Sequence, residues 1–329
     1  MAYRDERICE FFNSRTLMIV MGLVYVAVSF FAYHTGTGMA AESGAAPLFQ
    51  EGDSLLAHPL LSYGANTLCV LSIVVLVVLL NKGYSFIREV TYVYGTLFLA
   101  LQLAFPHLCV KWNPGSALCL LIVVVQLIMF STYQGKAVAQ KKVFLAFFLI
   151  SACGMLHVAF LPLAVPLLIG FLQMRAINFR SVLAMLFGLI TPFWLVLCFI
   201  FVNPFFSQPD LGEGVRIFRE QQLPVLIAGI ASVALLTFAL SALNLMKIIS
   251  YRLQLRVYNS FYLILALFCV VMMAIFHQSV PVYLPLLNYC LAIQMAQSFT
   301  IYTAMSRRWI FLVVFLVACA ASHVLYLYV

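Results

Sequence analysis

The sequence predicts an all-α fold, a polytopic transmembrane helix bundle with about 11 crossings and a range of about 10 to 12. Hydrophobic residues make up 65% of the chain and charged residues only 9%, whereas soluble domains carry about 25% charged residues. Apolar runs long enough to cross a bilayer recur from Thr16 to the last residue. Residues 1–329 are therefore expected to form a single integral membrane domain.

The order of the apolar runs predicts the individual helices. They fall near residues 16–33, 63–80, 90–106, 116–133, 182–202, 223–243, 259–276, 283–305 and 309–328, with one longer run over 143–174. That run has 32 uncharged residues. As one straight helix it would be about 48 Å long, against a hydrocarbon core of about 30 Å. It is therefore either one overlong helix or two short ones.

Lysine and arginine decide between these alternatives, because short cytoplasmic loops carry an excess of both residues. If the run is a helical hairpin, 15 of the 18 basic residues fall on the cytoplasmic side, and Lys111, Arg216 and Arg219 fall outside. If it is a single helix, the split becomes 10 to 8. The count favours a short hairpin over 143–174, with a cytoplasmic N-terminus and a periplasmic C-terminus. Glycine permits tight turns, so the turn is expected at Cys153-Gly154-Met155.

Two long outer loops follow from this topology, over residues 34–64 and 203–224, each with an expected interfacial helix. In the first loop Asp53 or Ser54 can cap a short amphipathic helix over 54–61. Alternatively Asp53, with Glu51 second, is a general base or metal ligand at the periplasmic face. In the second loop Arg216 and Arg219 lie three residues apart. They either anchor the loop to lipid head groups or bind the phosphate of a lipid-linked substrate.

Other polar residues give weaker signals. All six histidines fall on or near the predicted outer side, and no HxxH or HxxxH pair is present. We therefore expect no metal site, and we take His157 and His58 only as candidates for substrate contact. The nine cysteines are isolated and mostly lie in apolar runs, as is typical of packing residues. Inter-helix hydrogen bonds are expected from the polar residues within helices, Gln102, Gln126, Asn244, Asn288, Gln294 and Gln297.

The middle of the chain resembles a known family. The residues that carry the resemblance are Gln134-Gly135-Lys136, the hairpin, Arg175-Ala-Ile-Asn-Phe-Arg180 and Leu186-Phe-Gly-Leu-Ile-Thr-Pro192. Over residues 134–192 the chain resembles an uncharacterised family of polytopic inner-membrane proteins of Gram-negative bacteria. The resemblance implies a bacterial inner-membrane location, and the family has no established activity to transfer.

Three functions remain open at this point. The first is a non-catalytic scaffold or partner subunit in envelope assembly, which needs only stable packing. The second is a glycosyltransferase-like enzyme that uses a polyprenyl-phosphate-linked sugar, with Asp53 or Glu51 as base and Arg216 and Arg219 on the donor phosphate. The third is a transporter of lipid or small solutes, which the absence of carboxylates from the predicted helix cores disfavours.

The expected partners follow from the membrane location. They are membrane lipids, and in addition other envelope proteins or a polyprenyl-phosphate lipid. No nucleic acid is expected as a partner. The net charge of +8 reflects topology instead, because most of the basic residues lie on the predicted cytoplasmic side. No phosphate loop, GxSxG elbow or dinucleotide fingerprint is present, so the cofactor is unknown.

Overall fold

The computed structural model describes residues 10–35, 59–87, 92–134, 140–174, 178–199, 223–248, 253–276, 279–301 and 308–328. Within these ranges the structure contains no strand, and eleven α-helices have ten residues or more. The predicted all-α fold is confirmed. The helices are α1 Arg15–Thr35, α2 Pro59–Tyr84, α3 Val93–Leu103, α4 Pro114–Gln134, α5 Gln140–Leu156, α6 Ala164–Gln173, α7 Phe179–Phe199, α8 Leu223–Ile248, α9 Leu253–Ile275, α10 Val280–Ile301 and α11 Arg308–Tyr328.

The lengths and composition of these helices suit a bilayer. Five of them, α1, α2, α4, α8 and α9, are long and apolar enough to cross a membrane, and shorter apolar helices occur in α3, α6, α7 and α11. Every lysine and arginine in the eleven helices lies within four residues of a helix end. This is expected where the middle of each helix faces hydrocarbon, because charge there is unfavourable. The chain is a multi-pass membrane protein.

Helix α10 forms the centre of the bundle. Each residue from Pro281 to Gln297 is buried, and the helix packs against α3, α4, α8 and α9. The approach of α4 is especially close at Gly115. A Cβ atom there would lie 2.5 Å from the Val282 carbonyl oxygen and 2.6 Å from that of Pro281. Only glycine allows this backbone contact between α4 and α10.

The hairpin predicted over 143–174 is present, but its turn lies later than expected. Helix α5 continues to Leu156, the chain turns at His157, and a 3₁₀ helix, Val158–Leu163, leads into α6. The rings of Phe147 and Phe171 lie 6.0 Å apart, and the 3₁₀ helix packs against α5, so the chain folds back at this point. Gly154 lies within α5, where a Cβ atom would overlap the side chain of Leu161 in the 3₁₀ helix. The glycine therefore serves close packing and not the turn.

Helix ends also correct the predicted loops. Helix α1 extends to Thr35, α2 begins at Pro59 and α8 begins at Leu223, so the margins of the predicted loops 34–64 and 203–224 are helical. The last three residues of the predicted interfacial helix, 59–61, form the first turn of α2. The rest of both loops lies outside the described residues.

Candidate functional site

Most of the sequence-predicted site residues lie outside the described residues. These are Glu51, Asp53, His58, Arg216 and Arg219. His157 is the candidate that the structure places. Among the described residues no group of three histidine, cysteine, aspartate or glutamate side chains could hold a metal ion.

His157 lies at the turn of the hairpin and caps the 3₁₀ helix that follows. Its backbone is extended, with φ −151° and ψ 122°. Its Nδ1 accepts a hydrogen bond from the backbone N–H of Ala159 at 3.2 Å, so the neutral ring carries its proton on Nε2. The edge of the ring meets Phe160 at a centroid distance of 5.8 Å. A local capping role therefore explains a histidine at this position.

A second interruption, which the sequence did not predict, follows α3. Helix α3 has 11 residues and is therefore about 16 Å long, roughly half the hydrocarbon core. The chain then continues as the connecting segment, residues 104–113, which includes a 3₁₀ turn at Pro106–Leu108. Phe105, Leu108 and Cys109 are at most 2% exposed. Non-helical backbone inside a membrane protein must have hydrogen-bond partners, because lipid offers none.

The carbonyl groups at the end of α3 all have such partners. The last four carbonyls of a helix lack intrahelical donors, yet each of these accepts a hydrogen bond, as does Ala104. Two donors lie in α11 and one in α10, so distant parts of the chain close this helix end. In each bond below, the second residue accepts through its backbone carbonyl oxygen. The bonds are Ala104 N to Ala100 at 3.0 Å, Asn288 Nδ2 to Leu101 at 3.4 Å, Cys109 Sγ to Gln102 at 3.1 Å, His323 Nδ1 to Leu103 at 2.6 Å and Ser322 Oγ to Ala104 at 3.1 Å.

The bond of His323 also defines its tautomer. A carbonyl oxygen can only accept, so Nδ1 of His323 must carry a proton. This is the opposite of neutral His157, whose Nδ1 accepts. Thus Nδ1 accepts a hydrogen bond in His157 at the hairpin turn, whereas Nδ1 donates one in His323 at the end of α3.

Helix α2 holds the remainder of the connecting segment. Asn66 Nδ2 donates to the Leu108 carbonyl at 2.8 Å, and Ser62 Oγ accepts from the Trp112 N–H at 2.7 Å. Asn113 Oδ1 then accepts from the Gly115 N–H at 2.8 Å and caps α4. The pair Asn113-Pro114, a cap residue followed by proline at the first helical position, is the sequence signal that could have located this helix start.

Neutral polar side chains also join the helices around α10. Tyr262 and Tyr289 both donate to Gln126 Oε1 of α4. Gln294 Nε2 donates to Asn259 Oδ1 at 2.7 Å, and Asn244 Nδ2 donates to Gln294 Oε1 at 2.9 Å. These amides and hydroxyls connect α4, α8, α9 and α10 without any charged group.

Four of the six predicted inter-helix hydrogen bonds are confirmed, those of Gln126, Asn244, Asn288 and Gln294. Gln297 instead bonds to the Phe86 carbonyl, which follows the end of α2. Neither side-chain polar atom of Gln102 has a hydrogen-bond partner within the described structure. The seven cysteines whose side chains the structure describes are free thiols, six of them buried, in agreement with a packing role.

The arrangement as a whole favours packing over chemistry. In the part of the chain that the structure describes, Glu10 is the only carboxylic residue, and it lies outside the eleven helices. Some buried polar side chains bond across helices, such as Gln126, Asn244 and Gln294, whereas others, such as Tyr94 Oη and Thr96 Oγ1, have no hydrogen-bond partner within the described structure. No family model, curated protein or solved structure matches the chain significantly.

Proposed function

We propose that this protein is a non-catalytic scaffold or partner subunit of envelope assembly in a bacterial inner membrane. One observation carries the proposal: several amides and hydroxyls buried around α10 bond helix to helix. Such bonds hold one arrangement of helices. A rigid bundle of this kind suits a protein that presents its surface to partners.

The end of α3 disfavours ion-coupled transport. Transporters with broken helices use freed carbonyls at a half-helix C-terminus to coordinate Na⁺ or H⁺. Here those carbonyls are occupied by Asn288, Ser322, His323 and local donors. These carbonyls therefore have hydrogen-bond partners without a bound cation.

The described basic residues support a cytoplasmic N-terminus and a periplasmic C-terminus. Taking successive helices to alternate in direction, the ends that carry Lys82, Lys142, Arg180 and Lys247 fall on one side, and Lys111 falls on the other. A direct contact agrees with this grouping, since Lys142 Nζ donates to the Ser131 carbonyl near the end of α4. Cytoplasmic sides carry the basic excess. The resemblance over residues 134–192 favours an inner-membrane location.

Site-directed photo-crosslinking in living cells tests the scaffold role. A photoreactive residue is placed at exposed positions of α7 and α11, such as Trp194 (61% exposed) and Val314 (60% exposed). The buried position Ile122 is the control. A scaffold yields a discrete crosslinked protein from at least one exposed face and none from Ile122. If no exposed face of any described helix gives a crosslinked protein, the proposal is wrong.

A variant at Asp53 distinguishes the enzyme hypothesis from the scaffold hypothesis. Asp53→Asn should leave both the abundance of the protein and the crosslinked product unchanged if the protein is a scaffold. Loss of cellular function in Asp53→Asn at normal abundance, with loss of transfer from a polyprenyl-phosphate sugar in isolated membranes, would instead establish the glycosyltransferase reading. Solute flux through the purified chain in liposomes would establish transport.

A further inference from the structure

Three buried side chains near the end of α3 carry polar atoms that have no hydrogen-bond partner in the described part of the chain. They are Tyr25 of α1, Asn66 of α2 and Gln102 of α3, and each is at most 1% exposed. The atoms concerned are Tyr25 Oη, Asn66 Oδ1 and both Oε1 and Nε2 of Gln102. Buried polar groups in native proteins almost always have a partner, so these four atoms need an explanation. We call the three residues the Gln102 cluster.

Helices α1 and α3 run parallel, which places Tyr25 and Gln102 at the same level. The N–H of the residue before α3 donates to Asn13 Oδ1, shortly before α1, at 2.8 Å. Further along, a Cβ atom at Gly95 would lie 2.9 Å from the Met18 side chain. Tyr25 and Gln102 follow Met18 and Gly95 by seven residues each. Seven residues are about two helical turns, so both residues lie on the faces that meet.

The connecting segment joins the three members of the cluster. The Cys109 thiol donates to the Gln102 carbonyl at 3.1 Å, and it lies next to the Tyr25 hydroxyl without a well-formed hydrogen bond to it. The carbonyl of the preceding residue, Leu108, accepts from Asn66 Nδ2 at 2.8 Å. Tyr25, Asn66 and Gln102 therefore all lie around the same two residues of the connecting segment.

The Gln102 cluster lies near the middle of the membrane. Tyr25 is ten residues from each end of α1, Arg15–Thr35, which is about 15 Å. Half of the hydrocarbon core is also about 15 Å. Lipid tails offer no hydrogen bonds at this depth, so an amide or hydroxyl left unpaired there is strongly unfavourable.

The polar atoms of the cluster complement one another but do not bond directly. Gln102 Nε2 has two N–H groups and Tyr25 has one O–H group, whereas Gln102 Oε1 and Asn66 Oδ1 accept. None of these donors bonds to either acceptor. A molecule that connects them must be small and must both accept and donate. Water does both, and a buried water typically makes about three hydrogen bonds. A metal cation does not fit, because it would face the N–H groups of Gln102.

We propose that one buried water molecule binds in the Gln102 cluster at the middle of the membrane. It accepts from the Gln102 amide or the Tyr25 hydroxyl and donates to Asn66 Oδ1 or Gln102 Oε1, so that it bridges α1, α2 and α3. The carbonyls at the end of α3 are bonded by protein groups, and the water serves the side chains that remain. This site does not depend on the proposed scaffold function, because it follows from the donors and acceptors alone.

A structure of the full-length protein in nanodiscs, at a resolution that shows ordered water, tests the site directly. We expect density for one water within hydrogen-bond distance of the Gln102 side chain and of Tyr25 Oη or Asn66 Oδ1. The variant Gln102→Met, which has a similar shape, should lack this density. A direct bond from Gln102 to Tyr25 or Asn66 with no density between them would overturn the proposal, as would density for a larger molecule.

Unfolding temperatures in nanodiscs give a second test. Gln102→Met breaks the bridge and leaves other groups unpaired, so we expect the unfolding temperature to fall by about 3 °C. Tyr25→Phe should then have a smaller effect in the Gln102→Met background than in the wild type, because the two side chains share the water. The control is Tyr262→Phe, which removes a buried hydroxyl that bonds to Gln126. Its effect should be the same in both backgrounds.

The opposite result has an equally clear sign. If the Gln102 amide has no partner at all, Gln102→Met removes an unpaired polar group and should raise the unfolding temperature. That rise, or fully additive effects of Gln102→Met and Tyr25→Phe, would contradict a shared water. If Gln102→Met does not fold, the density in the wild-type structure decides alone.

Discussion

Two interruptions divide helices of this bundle, and they obtain their hydrogen bonds in different ways. After α3, the freed carbonyls of Leu103 and Ala104 are met by His323 and Ser322, which lie 220 and 218 residues away in sequence. At the hairpin turn, His157 bonds to Cys153 and Ala159, its near neighbours. One long-range bond is present there too, from Tyr283 Oη to the Ala159 carbonyl at 2.7 Å.

One interruption therefore depends on the assembled bundle, whereas the other is mostly built from its own segment. The end of α3 has its full set of partners only when α10 and α11 are both in place, and the connecting segment after it also needs α2. The bonds of His157 come from α5 and from the 3₁₀ helix that follows it. Changes near the end of α3 should therefore affect the whole fold, whereas changes at His157 should remain local.

The largest effect is expected at Gly115, just after the connecting segment. Gly115→Ala places a Cβ atom against the backbone carbonyls of Pro281 and Val282, at 2.6 and 2.5 Å, so α4 must move away from α10. We expect a loss of about 3 kcal/mol of stability, at the upper end for overpacking. Thermal unfolding in nanodiscs measures it.

The control for this change is Gly64→Ala in α2, where a Cβ atom meets nothing within 4 Å. That variant should be as stable as the wild type or slightly more so, because alanine favours helix over glycine. Equal stability of the Gly115 and Gly64 variants would mean that α4 and α10 do not approach as closely as the structure has them.

An intermediate effect is expected at the end of α3. The double variant Ser322→Ala, His323→Leu leaves the carbonyls of Ala104 and Leu103 without their donors from α11. Unpaired buried polar groups are unfavourable, so we expect a loss of about 2 kcal/mol. Unfolding in the same nanodiscs reports the loss, and proteolysis of α11 should accelerate as it detaches from α3.

Ser232→Ala is the matched control, because the Ser232 hydroxyl bonds to Gly229 within the same exposed helix surface. Its loss leaves no distant partner without a donor and should change stability very little. If the α11 double variant is as stable as this control, then water or local rearrangement supplies the missing donors. In that case the hydrogen bonds from α11 to the end of α3 do not contribute to stability.

The two interruptions also differ in how far the sequence predicts them. The hairpin follows from the positions of lysine and arginine, because topology is a property of charge along the chain. The end of α3 does not, since Leu101 to Ala104 are ordinary helical residues and their partners lie in α10 and α11. The turn predicted at Gly154 is misplaced for a similar reason. The close contact between Gly154 and Leu161 exists only in the folded chain, so the sequence does not show why a glycine is present there.

The candidate site shows the same limit. Chemistry and the predicted side of the membrane make Asp53 and Arg216 the candidates for base and phosphate contact. Both residues lie outside the described residues. Ser322 and His323, by contrast, carry no motif and sit in a plain apolar helix. Their role depends on where α11 packs, which no pattern in the sequence specifies.

The smallest effect is expected at His157. His157→Ala removes the acceptor for the Ala159 N–H, and loss of such a cap is worth about 1 kcal/mol. His157→Asn should restore most of that stability, because asparagine is itself a good capping residue. Unfolding temperatures of the two variants in nanodiscs measure the difference.

Substitution by asparagine should give different results at the two interruptions. At position 323 asparagine should fail, because its shorter side chain must donate across the gap between α11 and α3, where His323 now reaches the Leu103 carbonyl. At position 157 it should succeed, because the bond spans only two residues. If His157→Asn is instead as stable as the wild type but loses cellular function, then the imidazole itself is needed there. That result would give His157 the substrate contact that its position at the hairpin turn first suggested, and the scaffold proposal would have to yield to an activity at this end of the bundle.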